Sequence, residues 1–284
     1  MVKFSIVTVC LNAENCIRET IQSILEQTTS SYEYIIKDGI STDGTVGIAE
    51  AFSNAFAERG ITYRIISKKD SGIYDAMNQA ILESQGEWIL FMNAGDRIAN
   101  KNVLSTVENY PGLQEVQIVY GDNISKTEEW FRYYKAAELE YIRFNKPFCH
   151  QSVFTRRELF GNTGYSLKYR LCSDYHFYLC MYREGKRFLH IPEALSIYDI
   201  NGVSSDWRTT FSERIRILED MPVRDEEAIR KVRDDMKKTR RIRFIRKMEK
   251  LFMPRLYQKI WERNRRREGW ITEKEFNEKL KEQI

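Results

Sequence analysis

The chain predicts an α/β fold: a mostly parallel central sheet flanked by helices, followed by a helical, basic C-terminal extension. Three observations carry that expectation. Over the first 120 residues, short β-branched runs alternate with stretches whose apolar residues recur at helical spacing. Alternation of this kind builds a parallel sheet covered on both faces. Beyond residue 205 the strand signal stops and Arg and Lys dominate. A length of 284 residues suits one large domain with an appendage. With 42% hydrophobic and 30% charged residues, a disordered, collagen-like or coiled-coil chain is excluded.

Lys3 to Val9 reads as a buried strand. Ile17, Ile21, Ile24 and Leu25 form a helical stripe after polar Asn12 to Asn15, which can start a helix. Tyr34 to Ile36 is the second strand, ended by Asp38-Gly39. A single second helix opens at Asp43-Gly44-Thr45, with Ile48, Ala49, Phe52 and Phe56 on one face. Tyr63 to Ser67, Tyr74 to Glu83 and Trp88 to Met92 are the third strand, third helix and fourth strand. After Gly121 the pattern loosens. Trp130 to Tyr134 and Ser152 to Phe154 read as strands, Tyr175 to Arg183 as a helix, and Phe188 to Ile191 and Leu195 to Tyr198 as two short strands. No strand is expected from Trp207 onward. The resulting division is 1–205, with halves 1–121 and 122–205, then 206–284.

A net charge of +4 hides an asymmetry. Residues 230–284 hold 20 basic and 9 acidic side chains, whereas residues 1–229 hold 25 and 32. An acidic body and a basic tail need separate explanations. Five cysteines without a Cys-x-x-Cys pair read as reduced, structural thiols. No apolar run reaches the roughly 20 residues of a membrane span, and the N-terminus lacks a secretory pattern. A soluble, cytoplasmic protein is therefore expected.

Ligands of parallel sheets bind beyond the carboxyl ends of the strands. Acids fall where those ends should be: Asp38, Asp70 and Asp96, with Asp174 later in the chain. Any one of them can be a turn residue or helix cap. The first three converging on one edge are costly unless a cation or hydrogen-bond donors accompany them. Asp38-Gly39-Ile40-Ser41-Thr42-Asp43-Gly44-Thr45 offers hydroxyls and a helix start to a polar ligand, with Asp43 suited to cap that helix. Asp75 and Asn78 fall on one face of the third helix. The dinucleotide fingerprint, the phosphate loop and the hydrolase nucleophile elbow are all missing.

Together these segments resemble the GT-A glycosyltransferases of family 2, of the bacterial capsule, exopolysaccharide and lipopolysaccharide type. The likeness runs from Phe4-Ser5-Ile6-Val7-Thr8-Val9 and Asn12 through Asp38 to Thr45, Asp70 to Asn78, Gly86-Glu87-Trp88-Ile89 and Asn93-Ala94-Gly95-Asp96. It continues through Tyr120-Gly121-Asp122, His150-Gln151-Ser152 and Ser173-Asp174-Tyr175, and so covers roughly residues 1–205. The resemblance implies a nucleotide-sugar site in the first half and an acceptor site in the second. Thr8 and the backbone after the first strand, Asp38 and Asp70 would hold base and ribose, with Asp75, Asn78 and Asn93 part of the same donor site. Asp96 would bind the metal, Asp174 would be the general base, and His150 and Gln151 would lie near the diphosphate or the acceptor. The usual Asp-x-Asp has lost its earlier acid here, so Mg²⁺ or Mn²⁺ should bind weakly until the diphosphate adds oxygens.

That chemistry is inverting transfer from a nucleotide sugar, UDP by default, to a hydroxyl of a glycan or lipid-linked acceptor. The missing acid leaves a non-catalytic nucleotide-sugar-binding module or a basic-tail scaffold as the alternative. In the tail, residues 237–267 carry 14 basic side chains against Glu249 and Glu262. Ile245, Met248, Phe252, Leu256 and Ile260 recur at helical spacing around Pro254, with Tyr257 and Trp261 suited to a membrane interface. Such a stripe either packs on the body or lies on the inner face of the cytoplasmic membrane. A nucleic-acid partner is not expected of an acidic body without a nucleic-acid motif.

Overall fold

The computed structural model describes residues 2–127, 129–200, 206–252 and 254–282, without the side chains of 252–260 and 279–282. The boundary expected near residue 205, and the side chains of Phe252, Leu256, Tyr257 and Ile260, lie outside the described residues.

Strands β1 (Phe4–Cys10), β2 (Tyr32–Asp38), β3 (Thr62–Ser67) and β4 (Trp88–Phe91) run parallel in the order β3-β2-β1-β4. Their connections carry α1 (Ile17–Leu25), α2 (Thr45–Glu50), α3 (Ser53–Glu58) and α4 (Ile73–Glu83). Side chains alternate across these strands, as their period of two requires. Phe4, Ile6, Tyr34, Ile36, Trp88 and Leu90 face the layer of α1, α3 and α5 (Val103–Glu108). Val7, Val9, Ile35, Ile89 and Phe91 face α4 and α6 (Ser173–Arg183). Parallel strands buried on both faces read as continuous apolar runs, which is why this half is plain in the sequence.

The second half curls the sheet onward with mostly antiparallel pairs. Short β5 (Arg97–Ile98) pairs with β9 (Phe188–Asp199), and β8 (Val153–Arg156) joins β4 to β6 (Ile118–Lys126). β7 (Trp130–Tyr134) pairs with the far end of β6, Asn123 to Lys126, with β9 along that strand's opposite side. Two expected strands, 188–191 and 195–198, are one. Pro192 interrupts the pattern but falls where the parallel β6–β9 register slips, so its missing N–H removes no ladder bond. The expected second helix is instead two, because Gly47 and β-branched Thr45 and Val46 make a weak first segment.

Beyond residue 206 come α7 (Trp207–Asp220), α8 (Glu226–Phe252), α9 (Pro254–Arg267) and α10 (Glu273–Glu282). Ile217, Leu218, Ala228, Ile229 and Val232 pack on Tyr175 and Leu179, so α7 and the first turns of α8 extend the core. From Arg240 to Lys247 every described residue of α8 is exposed. One correction concerns the end of the chain. Ile271–Thr272 forms a strand, β10, antiparallel to β7, which two residues are too few to announce by periodicity. Trp270 is buried beside it and Phe276 stacks on Phe131 at 4.3 Å. No described helix is long and apolar enough to cross a membrane.

Gly86 shows how tightly the body is built. A Cβ there would lie 2.4 Å from the Ser5 nitrogen and 2.6 Å from the Phe4 carbonyl carbon. Backbone cannot yield as a flexible side chain does, so Gly86→Ala is expected to lose about 3 kcal/mol or more. Urea unfolding checks this; a midpoint equal to that of the wild type would refute it.

Candidate active site

The parallel strands end on one edge, and the loops there are latched to one another. Asp38, at the last position of β2, is fully buried. It accepts from the amides of Ile40 and Ser41, the Ser41 hydroxyl at 2.5 Å and the Ser67 hydroxyl at 2.6 Å. Burial pushes this carboxyl up, but the donors outweigh it and leave the group below its usual value. Asn12 Oδ1 accepts from Thr42 N–H, Glu14 Oε2 from Gly44 N–H, and Asp43 Oδ1 from Thr45 N–H, so Asp43 steadies the head of α2. Asn12 and Ile40 both adopt positive φ, a costly conformation for a β-branched residue. Their loops are thereby turned sharply at the edge.

Asp70 completes this group through a residue that pattern reading passed over. Lys37 is fully buried, and its ammonium donates to Asp70 Oδ2 at 2.8 Å and to the carbonyls of Asp38 and Lys68. A lysine inside the run Tyr34-Ile35-Ile36-Lys37 was the available signal, since a lone buried cation needs a partner. Thr8 sits deeper. Its hydroxyl lies 2.9 Å from Tyr34 Oη and donates to the Met92 carbonyl, so this side chain joins strands.

Asp96 lies in a turn closed by its own N–H to the Asn93 carbonyl. Its Oδ2 accepts from Gln151 at 2.7 Å and its Oδ1 from the Asp199 amide at 3.0 Å. Burial raises this carboxyl to about 7, with the Asp199 charge adding to the rise and the two donors opposing it. No Lys or Arg bonds it among the described residues, and Asn93 Oδ1 nearby is buried without a hydrogen-bond partner. A carboxylate short of positive charge beside an orphaned amide oxygen fits a hard divalent cation, which takes oxygen ligands. The described residues hold no group of three His, Cys, Asp or Glu that could bind a metal unaided. Asp199 was missed because nothing before the fold brings the end of β9 to Asp96.

Asp174 opens α6 and is 3% exposed. Lys146 forms an ion pair with its Oδ2, Tyr74 Oη lies 2.9 Å from Oδ1, and His150 Nδ1 lies 3.6 Å from Oδ2. Burial raises this carboxyl, but Lys146 and His150 outweigh it and the result is a lowered value. His150 stacks on Phe91 at 5.5 Å, and both ring nitrogens are buried without a hydrogen-bond partner among the described residues. Gln151, the next residue, reaches Asp96. The two carboxylates are thus joined through consecutive residues.

Asp75 and Asn78 are occupied locally. Asp75 accepts from the Ser71 amide and hydroxyl, whereas both ends of the Asn78 amide bond the backbone of Tyr165. Each end of Asn78 thus already has one protein partner. Lys146 and Tyr74 join the site without having been assigned a part in it. Asn145-Lys146-Pro147 carries no periodicity, and an isolated Tyr reads as core.

A parallel edge of latched loops, facing a second half that supplies a buried carboxylate at a helix head, defines a GT-A glycosyltransferase fold. The profile of glycosyl transferase family 2 matches residues 5–186, and the chain belongs to that family. A curated "PGL/p-HBAD biosynthesis glycosyltransferase" of Mycobacterium bovis is 35% identical over 207 residues, covering 71% of this chain and 79% of its own. EpsJ of Bacillus subtilis, described as an uncharacterized glycosyltransferase, is 28% identical over 69% of this chain and 61% of its own. Among solved structures, TarS 1–349 of S. aureus in complex with UDP-GlcNAc aligns with a TM-score of 0.61 at 17% identity, covering 80% of this chain and 69% of that one. PcManGT of Pyrobaculum calidifontis, a mannosyltransferase in complex with GDP-Man and Mn²⁺, gives 0.59 at 16% identity over 76% and 63%. At these identities the structures show the common fold.

Burial holds His150 down from 6.5 to about 4, against the pull of Asp174, so the folded state prefers the neutral ring. The stability this supplies is present above 6.5 and lost as pH falls through about 4. His150→Phe is expected to lose less stability over that interval than the wild type, by on the order of 2–3 kcal/mol. Denaturant midpoints across the interval give the comparison, and parallel curves would refute the assignment.

Proposed function

We propose that the protein is an inverting glycosyltransferase that moves a sugar from a nucleoside-diphosphate sugar to a hydroxyl of a glycan or lipid-linked acceptor. The observation that carries this reading is the line Asp96, Gln151, His150, Asp174. Among the described residues one carboxylate has no Lys or Arg bonded to it, the other is held ionised at a helix head, and between them lies a buried imidazole whose two nitrogens have no hydrogen-bond partner. A ligand carrying polar oxygens would satisfy that imidazole.

The acceptor hydroxyl is a poor nucleophile and needs a base within reach. Asp174 takes its proton while the oxygen attacks the anomeric carbon opposite the departing diphosphate, and single displacement inverts that centre. Asp96 and Asn93 would hold the divalent cation, Mg²⁺ or Mn²⁺, whose charge stabilises the leaving diphosphate. The loops held by Asp38, Lys37 and Asp70 would receive base and ribose. A UDP-sugar is the default donor of this reading, as in the TarS complex.

The same reading gives the tip of α8 to a membrane. Phe244 and Leu251 are 64% and 66% exposed, beside Arg240, Arg241, Arg243, Arg246, Lys247 and Lys250. Exposed apolar side chains among cations suit an anionic leaflet and a cytoplasmic, peripheral location. Replacing Phe244, Ile245 and Leu251 together by Ser should abolish flotation with anionic vesicles and leave the fold intact. A wild type that does not float, or a variant that still does, removes this assignment.

A thermal-shift panel of UDP-N-acetylglucosamine, GDP-mannose and a dTDP-sugar, each with and without Mn²⁺, tests the donor and metal. A matching nucleotide with metal should raise Tm by about 2–4 °C or more. In Asp96→Asn the metal increment should vanish. Because the folded carboxyl binds its proton more tightly than the unfolded chain, the metal-free fold loses stability as pH rises from 3.8 to about 7. The same variant should therefore outlast the wild type above pH 7 when metal is absent. Asp174→Asn should bind the nucleotide normally yet transfer no sugar; retained transfer would sink the base assignment.

A further inference from the structure

The two oxygens of Asp174 have different surroundings. Oδ1 accepts from Tyr175 N–H at 2.7 Å and faces the Tyr74 hydroxyl, so it is filled. Among the described residues Oδ2 is paired with Lys146 alone, since His150 Nδ1 at 3.6 Å is beyond hydrogen-bond range. A proton arriving at this carboxylate therefore has Oδ2 as its open position. The Lys146 side chain is 26% exposed and that of Asp174 4%, so the ammonium is the more exposed member of the pair.

The other groups around the carboxylate are neutral near pH 7. Tyr74, Tyr165 and Tyr178 are raised above the ordinary phenol value by burial, and Cys149 and Cys172 are pushed up to about 12 by burial. His150 is neutral as well. Lys146 carries the one charge in contact with Asp174 among the described residues. Without it a carboxyl this buried would take a proton from water and cease to be a base. With it fully engaged, the carboxylate is a reluctant base.

We propose that Lys146 is a positioning residue for sugar transfer: it keeps Asp174 ionised with Oδ2 ready, and yields that oxygen to the acceptor hydroxyl. The proposal rests on Asp174 being the base. As the hydroxyl arrives, its proton passes to Oδ2 and its oxygen forms the bond to the anomeric carbon. The bond from that carbon to the diphosphate breaks, and the electron pair leaves with the diphosphate. Asp174 is then neutral beside a lysine that has lost its counter-charge, an arrangement that favours release of the proton to solvent. Lys146 thus sets both the resting ionisation of the base and its recovery.

The test uses the full chain and two readouts. Carboxyl ¹³C NMR of Asp-labelled protein, with Asp174→Asn identifying the resonance, follows Asp174 at rest. Release of nucleoside diphosphate from UDP-N-acetylglucosamine, GDP-mannose or the dTDP-sugar, whichever stabilises the fold most, gives the pH profile of turnover. Lys146→Met should move the Asp174 titration and the acidic limb of the profile upward by about one unit or more. Lys146→Arg should restore both to near the wild-type position. Lys146→Gln serves the same comparison if the Met variant does not fold. An Asp174 resonance that titrates at the wild-type pH in the neutral variants overturns the proposal. So does an unmoved acidic limb in an enzyme that Asp174→Asn inactivates. Turnover surviving Asp174→Asn overturns instead the base assignment beneath it.

Discussion

Both halves of the sheet meet at the carboxylate of Asp96, and the geometry of the site follows from how that group is held. Gln151 reaches it from the second half, the Asp199 amide from the end of β9, and its own backbone carbonyl accepts from Thr20 in α1. A buried carboxyl whose side-chain partners among the described residues are two neutral donors is an unfinished electrostatic arrangement. The fold tolerates it because neighbouring elements share the donors. On the proposed reading, a nucleotide sugar with its cation would complete it.

The other strand-end acids are handled differently. Asp38 is saturated with donors and Asp70 is paired with a buried lysine, so neither waits for a partner. Their anchoring of the loops at 39–45 and 68–72 gives the edge a fixed shape before any ligand arrives. Pre-formed polar loops of this kind lower the ordering entropy that binding must overcome. Asp174 lies between these cases, paired yet with one oxygen open.

Legibility in the sequence followed burial. Strands covered on both faces leave unbroken apolar runs, so β1, β2 and β4 were apparent, as were Asp38 ending β2 and Asp96 shortly after β4. The segment from 135 to 152 is held by three-ten turns and aromatic contacts with no repeating period, and Lys146 was hidden there. Asp38, Asp70, Asp96 and Asp174 were found by position and by resemblance, whereas their partners Lys37, Asp199 and Tyr74 needed three-dimensional proximity. Asp75 and Asn78 show the converse: a shared helix face placed both near the edge, but local bonds already occupy them.

The last strand also bears on how the chain is made. β7 presents Trp130, Phe131, Tyr133 and Tyr134 along a sheet margin that β10 covers at Trp130 and Phe131. An uncovered margin of that composition invites pairing with another chain. Thr272 follows its partner Trp130 by about 140 residues, so at 5–20 residues per second the ribosome leaves this aromatic margin open for roughly 7–30 s. The basic helices α8 and α9 are synthesised within that interval and lead to the closing strand. Whatever else the tail does, it is also the tether by which a vulnerable nascent sheet is sealed.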